Sequence, residues 1–394
     1  MSMNDLYIQN YLNHPAFANL RKPMHLDPEL LDAFNSKIGN SRQRVSRANF
    51  DDSKIILKRI FESLQLQTMD DYEVLFLREL EEEVQRYIEH EYRFRSRLRK
   101  SKDFSEAGKQ LGENAYFYTD LSDSVRERII KLANSEVEIF RGRAHAGLLK
   151  RSDLSTNEGP IVAEISRLLD REFRDKGIFK IVSEYVGITY SYTGLSLELS
   201  VAGSSWWKNA IDDVDSPRTM YAHLDESIYA PKAIIYLSQV TESNGPTTSY
   251  PRVYDELQTN TLQDIIGRVV GEVGNQIDSP LNPYYAKSYH QSMGSKNFRK
   301  HFMLLPNSIK FNSHFGWDLL AGSPLEEATH SREVPMLGDP GKYVVFDGSR
   351  LLHRGGLIEQ GERVVLQVVF WPKRSFISET RRRFSQPIKS RLRK

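Results

Sequence analysis

Two short stretches, far apart along the chain, constrain this sequence most: Tyr221-Ala222-His223-Leu224-Asp225, and Leu352-His353-Arg354-Gly355-Gly356 with Arg363 just downstream. In extended backbone, residues two apart point to the same face, so His223 and Asp225 can aim an imidazole and a carboxylate at one point. His353 would complete the two-histidine, one-carboxylate set that suits non-haem Fe(II) and leaves positions open opposite the protein ligands. Those positions are where O₂ and an oxidisable cosubstrate would bind. The spacing therefore requires a fold that brings two distant strands side by side.

The bulk properties narrow the chemistry. The 394 residues suffice for one large domain with extensions or for two domains, and 39% hydrophobic with 27% charged residues is ordinary for a chain with a packed core. There is no cysteine, which excludes disulfides, zinc–thiolate sites, iron–sulfur clusters and thiol catalysis. No apolar run approaches the roughly 18–20 residues that span a bilayer, so no transmembrane segment is expected. The first residues lack a secretory pattern, and cytoplasmic is the default expectation. The net charge of +2 hides an asymmetry, because Lys373 to Lys394 hold nine basic residues and one acidic one. This reads as a solvated basic tail over 373–394, or as weak attraction to an anionic surface. Nothing else in the chain points to nucleic acid.

Residues 1–104 are expected to form a helical extension. Asp27-Pro28 ahead of Leu30, Leu31 and Phe34 reads as an N-cap with proline at the first helical position, so the second His-x-Asp, His25-Leu26-Asp27, is a decoy. Ile56, Ile60 and Leu64, then Leu77, Leu80, Val84 and Ile88, recur at helical spacing. Arg93 to Lys100 reads as a solvated helix face. These helices would pack on the main domain or on a second copy, leaving room for a homo-oligomer formed through them.

Residues 105–372 are expected to form the main domain. Gly112 to Tyr118 reads as a strand, Ser124-Val125-Arg126-Glu127 as a capping box opening a helix, and Gly159-Pro160 as the start of another. Ile188 to Tyr192 and Leu195 to Val201 carry strand patterning. Trp206 and Trp207 follow in a loop, as packing residues or as a wall of a substrate pocket. Ala233 to Val240 is an apolar strand ending at the turn Glu242-Ser243-Asn244-Gly245-Pro246. An insertion at about 254–335 contains a helical pattern near Leu262 to Val273, and its histidines, His290, His301, His314 and His330, read as surface or hydrogen-bonding residues or, alternatively, as substrate contacts. Strands return at Gly341 to Phe346, at Leu351 to His353, and from Arg363 through Trp371.

An iron oxygenase needs two extra electrons, which a 2-oxo acid supplies by oxidative decarboxylation. Its distal carboxylate needs a fixed, permanently charged partner, and a planar, bidentate arginine such as Arg363 suits that task. With these residues in view, about 110–372 resembles the phytanoyl-CoA dioxygenase family of Fe(II)/2-oxoglutarate oxygenases. The resemblance rests on His223-Leu224-Asp225, the run Tyr236 to Pro246 with its Asn-Gly-Pro ending, and Gly341 through His353 to Arg363. It implies a mainly β core folded as a double-stranded β-helix (a jelly roll of cupin kind) with flanking helices. It further implies that His223, Asp225 and His353 ligate Fe(II) and that Arg363 binds the 2-oxoglutarate C5 carboxylate; beside these, Tyr236 and Thr247 are candidates for contacting the cosubstrate. O₂ would be the co-reactant, a small organic molecule the substrate, and hydroxylation of an unactivated C–H the reaction, with desaturation or ring closure as other outcomes of the same site. The carboxylate at Asp225 argues against halogenation. The competing readings are an inactive metal-binding jelly roll acting as a scaffold, and an anionic-surface binding protein acting through the tail.

Overall fold

A computed structural model gives the architecture and describes residues 1–13, 21–40, 42–99, 104–145, 154–202, 219, 221–225, 227–271, 298–356, 358 and 360–373. Trp206, Trp207, His290 and the basic tail beyond Lys373 lie outside the described residues. The described strands are β1 (Tyr116–Asp120), β2 (Ser155–Thr156), β3 (Tyr190–Val201), β4 (Lys232–Tyr236), β5 (Thr247–Tyr250), β6 (Val334–Met336), β7 (Lys342–Phe346), β8 (Leu352–Arg354) and β9 (Glu362–Pro372). They form two antiparallel sheets, a larger one in the order β1-β7-β4-β9-β3-β2 and a smaller one in the order β6-β5-β8. The two strand patterns expected on either side of Thr193 form a single strand, β3, with a register shift between Tyr192 and Gly194.

Helices cover both sheets. α1 (Met3–Leu12), α2 (Pro28–Ile38), α3 (Arg47–Gln65) and α4 (Asp71–Arg95) come first. α5 (Glu106–Asn114), α6 (Asp123–His145), α7 (Pro160–Asp175) and α8 (Ile178–Val186) surround the first strands. α9 (Val253–Leu257), α10 (Thr261–Gly271), α11 (Phe298–Met303) and α12 (Pro324–His330) lie between β5 and β6. Asp27 caps α2 with Pro28 at its first position, as its sequence predicts. No helix among the described residues is long and apolar enough to cross a membrane.

Strand alternation divides the side chains into layers. Ala233 and Ile235 of β4 and Leu366, Val368 and Phe370 of β9 face Ile165, Leu169 and Phe173 of α7 and Val182 of α8. Each such fully buried apolar side chain stabilises by about 1.5–3 kcal/mol. The opposite face of the same strands turns toward the small sheet, where Val344 and Phe346 of β7 meet Met336 of β6. The outer face of the small sheet, Tyr250 and Leu352, joins a second large cluster. That cluster contains Phe34, Leu57, Phe61, Leu77 and Leu80 from α2 to α4, and Leu262 and Ile266 from α10. The order of layers is helices, large sheet, inter-sheet space, small sheet, helices.

Three expectations need correction. α6 begins at Asp123, with Arg126 N donating to Ser122 O, so Ser124 lies inside the first turn and not at the cap position that Ser124-Val125-Arg126-Glu127 suggests. Gly112-Glu113-Asn114 closes α5, with Ala115 in a left-handed C-cap, and the strand begins only at Tyr116. The apolar alternation at Tyr116-Phe117-Tyr118 is real but short, and the residues before it lack strand propensity. Arg95, expected on a solvated face, is buried. Its guanidinium donates to the carbonyls of Ile38, Gly39, Asn40 and Gln43, closing the C-terminal end of α2.

Candidate metal centre

His223 and His353 sit directly opposite each other and exchange both backbone hydrogen bonds, His223 N to His353 O at 2.8 Å and His353 N to His223 O at 3.0 Å. Residues so paired present their side chains on one face, and the ring centroids are 4.4 Å apart. β8 brings His353 to this place through its pairing with β5, in which Ser249 is opposite His353. Asp225, two residues beyond His223, is on the same side. Its backbone N–H donates to Gly348 O at 2.8 Å, while Leu224 between them turns into the outer core.

The tautomers follow from the hydrogen bonds. His223 Nδ1 contacts Tyr221 O at 3.0 Å and His353 Nδ1 contacts Leu351 O at 2.9 Å. A carbonyl only accepts, so each Nδ1 carries a proton, which makes Nε2 the ring nitrogen able to ligate. Asp225 Oδ1 is 3.9 Å from His223 Nε2 and 3.8 Å from His353 Nε2. One ligand atom from each residue lies within 4.8 Å of the others. Neutral nitrogens and an anionic oxygen at this separation are a donor set for one divalent cation of the iron type.

Burial works against a charged Asp225, but Lys232 and the two imidazoles more than offset it and hold the carboxyl well below the usual carboxylate range. Burial pushes His353 down to about 3, assisted by His223 and Lys232 and opposed by Asp225. His353 is therefore neutral at physiological pH, the form that ligates a metal. Asp225 Oδ2 is buried without a hydrogen-bond partner and packs against Gly348, where an added Cβ would collide with it. This tight seat at Gly348, and the two Nε2 atoms grouped with Asp225, fit a bound cation.

Arg363, Tyr236 and Thr247 lie further along the inter-sheet space. Arg363 is 6% exposed. Its neighbour Glu362 is held by Arg141 in a bidentate ion pair. By alternation along β9, Arg363 shares a face with Val365 and the half-buried Gln367, and Val365 packs on Tyr236. Arg363 is close enough to Tyr236 to act on its phenol electrostatically. Tyr236 Oη donates to Met336 O at 2.6 Å, and Met336 is opposite the buried Thr247. The Asn-Gly-Pro turn anchors this end: Asn244 Nδ2 donates to the carbonyls of Gln239 at 2.7 Å and Glu362 at 3.2 Å, next to Arg363. A Cβ on Gly356 would strike the Gly245 backbone, so the two loops are packed against each other.

Several residues around the centre were not found from the sequence. Lys232 Nζ lies 2.6 Å from Asp225 Oδ1. Arg268, fully buried in α10, donates to the carbonyls of Asp225 at 2.6 Å and Ser349 at 2.8 Å and pairs with Asp264. Asp347 accepts from Ser349, from Tyr185 and from Arg42 of the N-terminal region. The His314 ring stacks on His223 at 5.6 Å, with Trp317 beside it at 5.2 Å. The only available signal was Lys232, a charge heading an otherwise apolar strand.

The folding pattern and the centre together define a two-sheet protein with a buried His-x-Asp…His cluster between its sheets. No family model matches the chain, and no curated protein matches it. Solved structures similar to it include EctD from S. alaskensis with 2-oxoglutarate and 5-hydroxyectoine, at 12% identity, 70% of this chain, 79% of that chain and TM-score 0.38. AviO1 from Streptomyces viridochromogenes Tue57 matches at 15% identity over 70% and 98% of the two chains, with TM-score 0.37. The non-heme alpha ketoglutarate dependent carbocyclase SnoK from nogalamycin biosynthesis matches at 13% identity over 69% and 86%, with TM-score 0.37.

Proposed function

We propose that this protein is an Fe(II)- and 2-oxoglutarate-dependent oxygenase acting on a small organic substrate. One observation carries the reading: two imidazoles whose Nδ1 atoms are held by backbone carbonyls, and one buried carboxylate, converge between two antiparallel sheets. In this reading His223, Asp225 and His353 hold the metal, and Arg363 holds the distal carboxylate of the cosubstrate. When bound, iron supplies O₂ activation coupled to decarboxylation, so that R–H, O₂ and 2-oxoglutarate give R–OH, succinate and CO₂.

The chain's own share is positional. The Tyr221 and Leu351 carbonyls hold each Nδ1 proton and so orient both rings. Phe346, edge-on to His353 at 5.1 Å, limits water on the buried side of the cluster. Thr247 is the hydroxyl available to the cosubstrate from the small sheet. Tyr236, with its O–H committed to Met336, contributes a ring wall. The double-stranded β-helix reading is supported by the way the chain from β3 onward passes back and forth between the sheets, with only β5 and β6 following each other in the same one. β3, β4, β7 and β9 lie in the large one, and β5, β6, β8 and the His223 stretch lie in or beside the small one. Residues 105–372 would be the oxygenase unit and 1–104 its helical extension.

The test is an anaerobic titration with Fe(II) and 2-oxoglutarate, followed by the weak visible charge-transfer band of the chelate. Wild type should develop the band. Arg363→Ala should retain Fe(II) but need at least about tenfold more 2-oxoglutarate, since a buried charge-assisted pair is lost. An unchanged titration would remove Arg363 from the site. Metal binding with no response to 2-oxoglutarate in wild type would leave only a metal-binding scaffold.

A further inference from the structure

Lys232 opens β4 and sends its side chain into the inter-sheet space, on the face shared with Ile234 and Tyr236. Its Nζ is 2.6 Å from Asp225 Oδ1. That oxygen is the one facing both histidines, at 3.9 and 3.8 Å. The other, Oδ2, is sealed against Gly348. A cation held by the three residues must therefore use the oxygen that the ammonium already touches.

The charge count gives this contact a consequence. Two neutral imidazoles and one carboxylate carry a single negative charge, and Lys232 cancels it. A divalent cation entering alone leaves the cluster at +2 instead of +1, and Asp225 and His353 are buried enough that the excess is screened less than it would be in bulk water. A dianionic chelator brings the count back to zero. Opposition to a bare cation and attraction for its anionic ligand are then two results of one side chain.

Resting on the oxygenase reading above, we propose that Lys232 couples metal retention to the cosubstrate: it weakens binding of a divalent cation alone and strengthens the mutual binding of cation and 2-oxo acid. By linkage, each ligand then raises the affinity of the other by the same factor. The contact also admits a different role, in which the lysine only orients Asp225 by a hydrogen bond and so strengthens metal binding. The two differ in sign and can be separated.

The experiment measures Mn(II) binding to the full chain calorimetrically, with and without saturating 2-oxoglutarate, for wild type, Lys232→Gln, Lys232→Met and Lys232→Arg. Gln retains a donor without charge, Met removes both, and Arg retains the charge. Gln and Met should bind Mn(II) alone about tenfold more tightly than wild type, and 2-oxoglutarate should enhance their affinity several-fold less. Arg should keep the wild-type pattern, which maintains the comparison if Met proves unstable. Equal or weaker Mn(II) binding by Gln, or an enhancement factor unchanged from wild type, would overturn the proposal. A wild type that binds no Mn(II) under either condition would overturn the metal reading itself, and this proposal with it.

Discussion

Gly348 shows how much a single position can decide in this protein. Its carbonyl accepts the Asp225 N–H, and its missing side chain leaves the space that Asp225 Oδ2 fills. Its flanking residues are held from two directions, Asp347 by Arg42 and Tyr185, and Ser349 by Arg268. The loop therefore cannot retreat to accommodate a methyl group, and the carboxylate must turn away. Gly348→Ala should reduce divalent-metal affinity by roughly 10–100-fold, the range for disturbed support of a metal ligand. Far-UV circular dichroism should be unchanged, since no left-handed backbone is required there. Mn(II) affinity equal to wild type in the alanine variant would show that the seat at Gly348 is not needed for Asp225 to ligate.

Among the elements, α4 departs furthest from what its sequence pattern conveys. Leu77, Leu80, Val84 and Ile88 form the expected buried stripe, but Glu91 and Arg95 are buried as well. Burial pushes the Glu91 carboxyl up to about 8, with Arg95 and Arg268 pulling the other way, and its Oε1 lacks a hydrogen-bond partner. A folded-state pKa above the unfolded value means that the folded chain keeps a proton the unfolded chain has lost. The associated stability is full below about 4.5 and lost as pH rises through about 8. Glu91→Gln should therefore gain on wild type between pH 6 and 9, by roughly 2 kcal/mol or more in urea unfolding. A constant difference across that range would refute a neutral Glu91. Helical periodicity could not reveal this, because it registers apolar faces and treats every charge as solvated. The same limit explains Arg268 and Lys232, charges that periodicity assigns to solvent although Lys232 pairs with Asp225 and Arg268 with Asp264 inside the fold. The His-x-Asp…His cluster was legible because His223 and Asp225 are two residues apart beside β8, the short strand that carries His353, so that their common face can be read from spacing. β5 and β6 were missed as strands: Thr247-Thr248-Ser249 and Val334-Pro335-Met336 are too short and too polar or proline-broken to carry a period.

The whole molecule depends on an outer face of the small sheet that cannot stand in water. Ala222, Leu224, Tyr250 and Leu352 point away from the metal cluster into a core shared with α1 to α4, so residues that position His223, Asp225 and His353 have backs packed by the N-terminal helices. Polar links reinforce the apolar ones. Tyr7 and Tyr11 bond to each other, Tyr11 Oη donates to Asp318 at 2.6 Å, and Tyr7 Oη accepts from Asn312 N at 3.1 Å. These contacts lead toward the 313–317 segment, whose Ser313 and Gly316 pair with the backbone of Leu224 and Ala222. The N-terminal helices are thus part of what holds the centre, whatever else they bind. A chain starting at residue 105 would expose that apolar face as one contiguous patch, which soluble monomers seldom tolerate. It should aggregate or bind Mn(II) at least about tenfold more weakly than the full chain. Adding residues 1–104 as a separate polypeptide should restore part of the affinity, because the lost contacts are noncovalent. A soluble 105–394 chain with full Mn(II) affinity would show that the two sheets support the cluster by themselves.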